Sequence, residues 1–368
     1  MKKVLYFNNL PSPYRVDFLN ELGKSFDVTA LFEAGKAEGM GIRFNWNLDS
    51  VRNFRVRFLS EGELHEKRVN WSVIPFFRKN RFDEIILTNY SYFTAVAALI
   101  YIKFHHIPYY METDGGFIRS DEKGLKKKIK TFLLSGAQGY FSPSDESDDY
   151  LVYYGAERSR IHRYPFTSLW QRDILPEVLS AEEKQICKKR LGMAEEKAVL
   201  GVGQFIYRKG WDVLLRAAAK FPEYGVYIVG GSVPQEYSDL REKLHLGNVH
   251  FRGFKSGKEI AEYYRAADVF VLPTREDIWG LVINEAMGYG LPVITTDRCL
   301  AGLALVANGK NGYIVSAGKA GPLAESVRLI LGNEETAARM SEVSLRRIKA
   351  YTVENMAAEH KKIPDSDK

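Results

Sequence analysis

At 368 residues and 45% hydrophobic content the chain is long enough for two domains with ordinary cores, and Lys and Arg outnumber Asp and Glu by 52 to 46. That modest excess makes a nucleotide, a phosphate or an acidic lipid surface plausible as a partner without demanding one, and no nucleic-acid partner is expected. Cys187 and Cys299 are the only cysteines, which argues against a disulfide scaffold or a Cys-rich zinc site and fits a reducing cytoplasm.

In chain order, the first apolar run, residues 4–7, stops at Asn8, too early for a signal-peptide core, and is expected as a strand. Further strands are expected at 28–32, 85–87, 109–111 and 140–142. Helical periodicity marks 16–22, 92–104, 125–134 and 146–154. Residues 94–102 are apolar but break at Lys103, short of a membrane span. Beyond an irregular join at 164–185, interrupted by Pro165 and Pro176, the plan repeats. Strands are expected at 199–202, 226–229, 249–251, 269–272 and 293–295, and helices near 211–221, 238–244, 259–266 and 278–289. Helical segments at 323–331, 335–350 and 353–361 close the chain, with a frayed tail after Pro364. Such alternation implies an α/β protein with two Rossmann-like, doubly wound parallel sheets, over residues 1–170 and 171–350, with 351–368 as a terminal helix and tail.

The most informative stretch runs from Asp268 to Pro292. A continuous apolar strand ends at Pro273, a polar turn follows, and an apolar helix begins. A turn between the carboxyl end of a strand and the amino end of a helix offers backbone N–H groups and a helix dipole to an anion, which makes it a phosphate seat. Asp277 and Glu285 flank that seat. Carboxylates repel phosphate, so they suit the hydroxyls of sugars attached to it. Taken singly, Asp277 also reads as a helix cap and Glu285 as a solvated helix residue.

Upstream, residues 201–210, GVGQFIYRKG, follow a buried strand and precede a helix. Ile206 occupies the place of a third glycine, which weakens a dinucleotide fingerprint. Lys209, with Arg208 beside it, can stabilise charge growing on a departing diphosphate; its plainer reading is a solvated loop lysine.

In the first half, residues 8–15, NNLPSPYR, and 112–116, ETDGG, both leave strands at their carboxyl ends. Pro13 also suits the first turn of a helix, and Asp114 also suits a plain turn. KGLKKKIK at 123–130 reads as a basic amphipathic helix, either a solvated face over a buried stripe or a surface for anionic lipid. The acidic run 145–149 opens a predicted helix, where the dipole favours acids, so no metal is assigned. His105, His106, His162, His245 and His250 form no constellation.

These motifs resemble the retaining nucleotide-sugar glycosyltransferases of family 4, which have the GT-B fold: two Rossmann-like domains facing a central cleft and a C-terminal helix crossing back to the first. Asp277 to Glu285 matches their E-x7-E motif with Asp in the first place, and 203–210 matches their G-R-L-x3-K-G motif with Gln204 where Arg is usual. The resemblance implies that Lys209, with Arg208, holds the diphosphate, the amides of Ile278, Trp279, Gly280 and Leu281 assist, Asp277 binds the donor sugar and Glu285 the ribose. Gly203, Gln204, Gly230 and Phe254 join the donor side. Pro13, Tyr14, Arg15, Glu112 and Asp114 fall on the acceptor side, with Asp114 orienting or deprotonating an acceptor hydroxyl. Lys209, Asp277 and Asp114 are the expected catalytic residues. The implied enzyme is cytoplasmic and peripheral at the membrane, needs no cofactor or metal, and moves a sugar to a glycan or lipid-linked glycan in cell-surface polysaccharide biosynthesis. A nucleotide-sugar epimerase and a catalytically silent partner subunit, suggested by Gln204, stay open.

Overall fold

The computed structural model describes residues 1–36, 48–65, 67–119 and 122–362; the tail expected to fray after Pro364 lies outside them. The chain divides into two compact units, Met1–Ser168 with Thr352–Lys368, and Leu169–Tyr351.

In the first unit, β1 (Lys3–Asn8), β2 (Asp27–Lys36), β3 (Arg55–Glu63), β4 (Glu84–Leu87), β5 (Tyr110–Glu112), β6 (Gly139–Ser142) and β7 (Ile161–Arg163) form one sheet in the order β3-β2-β1-β4-β5-β6-β7. All neighbouring strands are parallel. The period-2 alternation of β1 sends its side chains to two layers. Leu5 and Phe7 join the core beneath α2 (Val73–Lys79), α3 (Phe93–Phe104), α4 (Leu125–Leu134) and α5 (Asp145–Tyr153). Tyr6 points the other way, onto Phe18 of α1 (Pro13–Leu22), with ring centroids 5.7 Å apart.

The second unit holds β8 (Ala198–Val202), β9 (Gly225–Val229), β10 (Val249–Arg252), β11 (Val269–Leu272), β12 (Val293–Thr296) and β13 (Gly312–Val315), all parallel, in the order β10-β9-β8-β11-β12-β13. Its helices are α6 (Ala181–Arg190), α7 (Trp211–Ala218), α8 (Gln235–Lys243), α9 (Lys258–Ala266), α10 (Leu281–Gly288), α11 (Leu300–Leu305), α12 (Ala320–Leu331) and α13 (Glu334–Ile348). The chain then returns to the first unit, where α14 (Val353–His360) packs on α1 and stacks His360 on Phe141 at 4.1 Å.

The expected strands and helices are present, with edges shifted by a few residues, and the structure adds β3, β7, β13, α2, α6 and α11. The edge strand β3 reads RVRFLSEGE, with charges alternating among its apolar residues, so it lacks the continuous apolar run that betrays a strand covered on both faces. The strand order reverses between β1 and β4 in one sheet and between β8 and β11 in the other. In open parallel sheets that reversal parts the loops and leaves a crevice at the carboxyl ends of the strands.

Candidate functional site

At the reversal in the second unit, β8 and β11 emerge side by side. β11 is VFVL with every residue buried, and a fully apolar strand can sit only in the middle of the sheet. The loop after β8 and the turn after β11 are then clamped together. Arg275 makes two 2.8 Å bonds to Asp212 and donates to the Tyr207 carbonyl, and its amide donates to the Arg208 carbonyl at 2.7 Å. Gly210 lies at the closest approach: its φ is +71°, and a Cβ there would fall 2.1 Å from the Pro273 carbonyl oxygen.

This clamp delivers the charges. Lys209 Nζ lies 2.6 Å from Asp277 Oδ2 and Arg208 Nη1 3.0 Å from Asp277 Oδ1, so two cations share one carboxylate. Asp277 is fixed from below by its amide, which donates to the Arg298 carbonyl at 2.8 Å, and by the Leu300 amide on its own carbonyl at 3.2 Å. Beneath the turn, burial and the nearby Asp277 charge push the Cys299 thiol up to about 12, so it stays protonated; it donates to the Trp279 carbonyl. Gly280 then opens α10, whose amino-terminal dipole adds to the positive field of the two cations.

The remaining donor-side residues fall at varied depth. Gln204, Ile278 and Phe254 are exposed, whereas the Trp279 side chain is buried and bonds Asn284 at 3.0 Å. Gly230 lies against Gly203, where a Cβ would come 2.3 Å from the Gly203 carbonyl oxygen. Glu285 sits further along α10, where its carboxylate accepts from the buried Tyr264 hydroxyl at 2.8 Å, and Tyr264 stacks on Tyr289. Lys209, Arg208 and Asp277 are thus in direct contact, and Glu285 is fastened separately.

In the first unit, the loop after β1 leads into α1 and meets the loop after β5. Arg15 forms ion pairs with both Glu112 and Asp114, and the Tyr14 hydroxyl donates to Asp114 at 3.3 Å. Glu112 also accepts from Tyr6 at 2.9 Å and lies 3.1 Å from His360 Nε2. Burial opposes its ionisation, but the Arg15 guanidinium and the His360 ring outweigh that and hold its carboxyl down to about 2. Arg15 and Glu112, expected to face an acceptor, are instead sealed in the core. An acid and a base that satisfy each other away from water are scaffold, not contact surface. Pro13, Tyr14 and Asp114 retain access to solvent.

The sequence reading missed His360, Tyr6 and Tyr164, whose hydroxyl donates to the Thr113 carbonyl at 2.9 Å. His360 is 248 positions from Glu112, and no local pattern links them. The acidic run at 145–149 is the first turn of α5, capped by Ser144 and paired with Arg163 and Arg158. Among the described residues no group of three or more His, Cys, Asp or Glu side chains is arranged to hold a metal.

The sequence profile of the family described as glycosyl transferases group 1 matches residues 183–347. An uncharacterized glycosyltransferase of Haemophilus influenzae is 28% identical over 183 residues, covering 48% of this chain and 51% of the relative. The chain spans about half the length, or less, of the curated relatives it matches. Among solved structures, the sucrose-phosphate synthase of Thermosynechococcus elongatus superposes with a TM-score of 0.76 at 18% identity, covering 99% of this chain and 98% of that one. HepE of Anabaena in complex with UDP also gives 0.76, at 17% identity, over 98% and 99% of the two chains. At such identity the structures speak to fold alone, while the profile covers the unit that holds Lys209 and Asp277. Residues 183–347 are thus similar to the glycosyl transferases group 1 family, and the chain has the two Rossmann-like sheets of the GT-B fold.

Proposed function

We propose that the chain is a retaining glycosyltransferase that moves a sugar from a nucleoside diphosphate sugar to a glycan or lipid-linked glycan acceptor in cell-surface polysaccharide synthesis. The observation that carries this reading is the pairing of Lys209 and Arg208 on Asp277 beside the start of α10. Two cations on one carboxylate leave positive charge to spare for a diphosphate. As the bond between the anomeric carbon and the phosphate oxygen breaks, charge grows on the leaving group, and a cation already in place stabilises that charge without reorganising. Once the cations engage phosphate, Asp277 is released to accept from donor-sugar hydroxyls. Glu285 takes the ribose, and Asp114, steadied by Arg15 and Tyr14, orients the acceptor hydroxyl. No metal or cofactor is assigned a role. A lipid-linked acceptor places the enzyme at the cytoplasmic face of a membrane, as a peripheral protein.

UDP is the first base to test, because a structure of the same fold is a complex with UDP. Thermal melting with UDP, GDP and ADP in turn should show a clear rise for one of them, since a ligand at 100 times its Kd stabilises the native state by about 2.7 kcal/mol. No rise with any of the three removes the reading. Incubation with the matching sugar nucleotide and no acceptor should give no isomerised sugar; an isomer would assign an epimerase.

A further inference from the structure

We infer that the outer face of α2, α3 and α4 is a docking surface for a bilayer rich in anionic lipid. This deepens the peripheral placement proposed above and rests on it, but it is independent of the transfer chemistry.

The amphipathic α4 does not sit as a solvated face over a buried stripe. Its apolar stripe is not buried: Leu125 is 72% exposed, Ile129 52% and Phe132 52%, while Leu133 and Leu134 alone turn into the core. The neighbouring α3 repeats the arrangement. Ala95, Ala98, Leu99 and Ile102 enter the core, and Phe93, Ile100 and Phe104, the last 79% exposed, run down the opposite side. Between α3 and the segment entering α2, Trp71, Ile74, Phe93, Val96, Ile100 and Phe104 line an open apolar depression of about 520 Å³. Lys103, next to Phe104, holds its ammonium 5.0 Å from the centre of the Phe132 ring, which joins the two stripes into one surface. A continuous apolar patch with a large aromatic share is seldom left to water on a soluble chain.

Charge identifies the occupant. The three helices contain two, one and four Lys or Arg residues respectively and no Asp or Glu. Lys130 is paired with Glu122, and Lys127 lies 3.6 Å from the Tyr153 ring centre. Arg78, Lys79, Lys126 and Lys128 form no ion pair with a described residue. Apolar side chains projecting from helices that carry only positive charge match an interface of acyl chains beneath anionic headgroups. A second copy of the chain would bring the same cations against themselves.

Sedimentation of the full chain with vesicles tests the inference. Binding should be at least about ten-fold tighter to phosphatidylcholine vesicles containing phosphatidylglycerol than to phosphatidylcholine alone, and should weaken with salt. The double variant Ile100→Glu/Phe104→Glu, at exposed positions, should lose at least about ten-fold in binding, and Lys126→Glu/Lys128→Glu should lose the preference for phosphatidylglycerol. Lys310→Glu/Arg346→Glu, on a basic hollow of the other unit, should bind as the parent does. No binding to the acidic vesicles, parent-like binding by Ile100→Glu/Phe104→Glu, or a concentration-dependent dimer that this variant abolishes would overturn it. The nucleotide-induced melting shift, read on the same variants, reports separately on the transfer reading.

Discussion

Both units carry an ion-pair cluster that ties the loop after one strand to the loop after another, yet the two clusters serve opposite ends. Around Glu112 the Arg15, Glu112 and His360 side chains are at most 1% exposed. Around Asp277 the side chains of Asp277, Lys209 and Arg208 are 11%, 12% and 45% exposed. Charges shut away from water cannot change partner without a large desolvation cost, so the first cluster fixes geometry. Charges at a water boundary gain little from each other and can exchange a carboxylate for a phosphate, so the second can receive a ligand. Solvation, more than the kind of residue, separates scaffold from receptor here.

The strongest way to break this comparison is to remove one member of the sealed cluster. Arg15→Ala leaves the buried Glu112 without its guanidinium partner, with Tyr6 and His360 still beside it, and denaturant unfolding should show a loss of about 3–5 kcal/mol. A loss below about 1 kcal/mol would show that the cluster is not the support inferred here. The matching change in the open cluster should separate stability from chemistry. Lys209→Ala should lower turnover by about 10²–10³ and weaken nucleoside diphosphate binding. It should cost less stability than Arg15→Ala, because Arg208, 45% exposed, still pairs with Asp277. Equal losses of stability in the two variants would erase the distinction.

Acid titration sharpens it further. Glu112 has its carboxyl held at about 2 in the folded chain against an ordinary value of 4.5. A folded pKa below the unfolded one means that the stabilisation is complete above about 4.5 and is lost as pH falls towards about 2, amounting to about 3 kcal/mol. Stability measured across that window should fall less steeply in Glu112→Gln than in the parent. An unchanged slope would place the acid sensitivity elsewhere.

How far the sequence could be read follows the same line between local and distant. The turn at 277–280 was legible because strand, polar turn and helix are consecutive, and Lys209 because GVGQFIYRKG is a local pattern. The buried strands β8 and β11 announced themselves as apolar runs. The edge strands β3 and β7 did not, since a strand with only one covered neighbour tolerates charges. Arg15 and Glu112 carry charge and leave strand ends, as contact residues do, and nothing in their own segments reveals that Tyr6, Tyr164 and His360 close over them.

The sequence by itself determined two parallel-sheet units, the phosphate-seat turn and the cations beside it, because hydrophobic period, turn chemistry and motif spacing are properties of neighbouring residues. Only the tertiary structure decided which charges stay in contact with water and which way the apolar stripe of α4 faces. Both depend on what other elements cover a side chain, and for Glu112 that cover includes a helix from the far end of the chain.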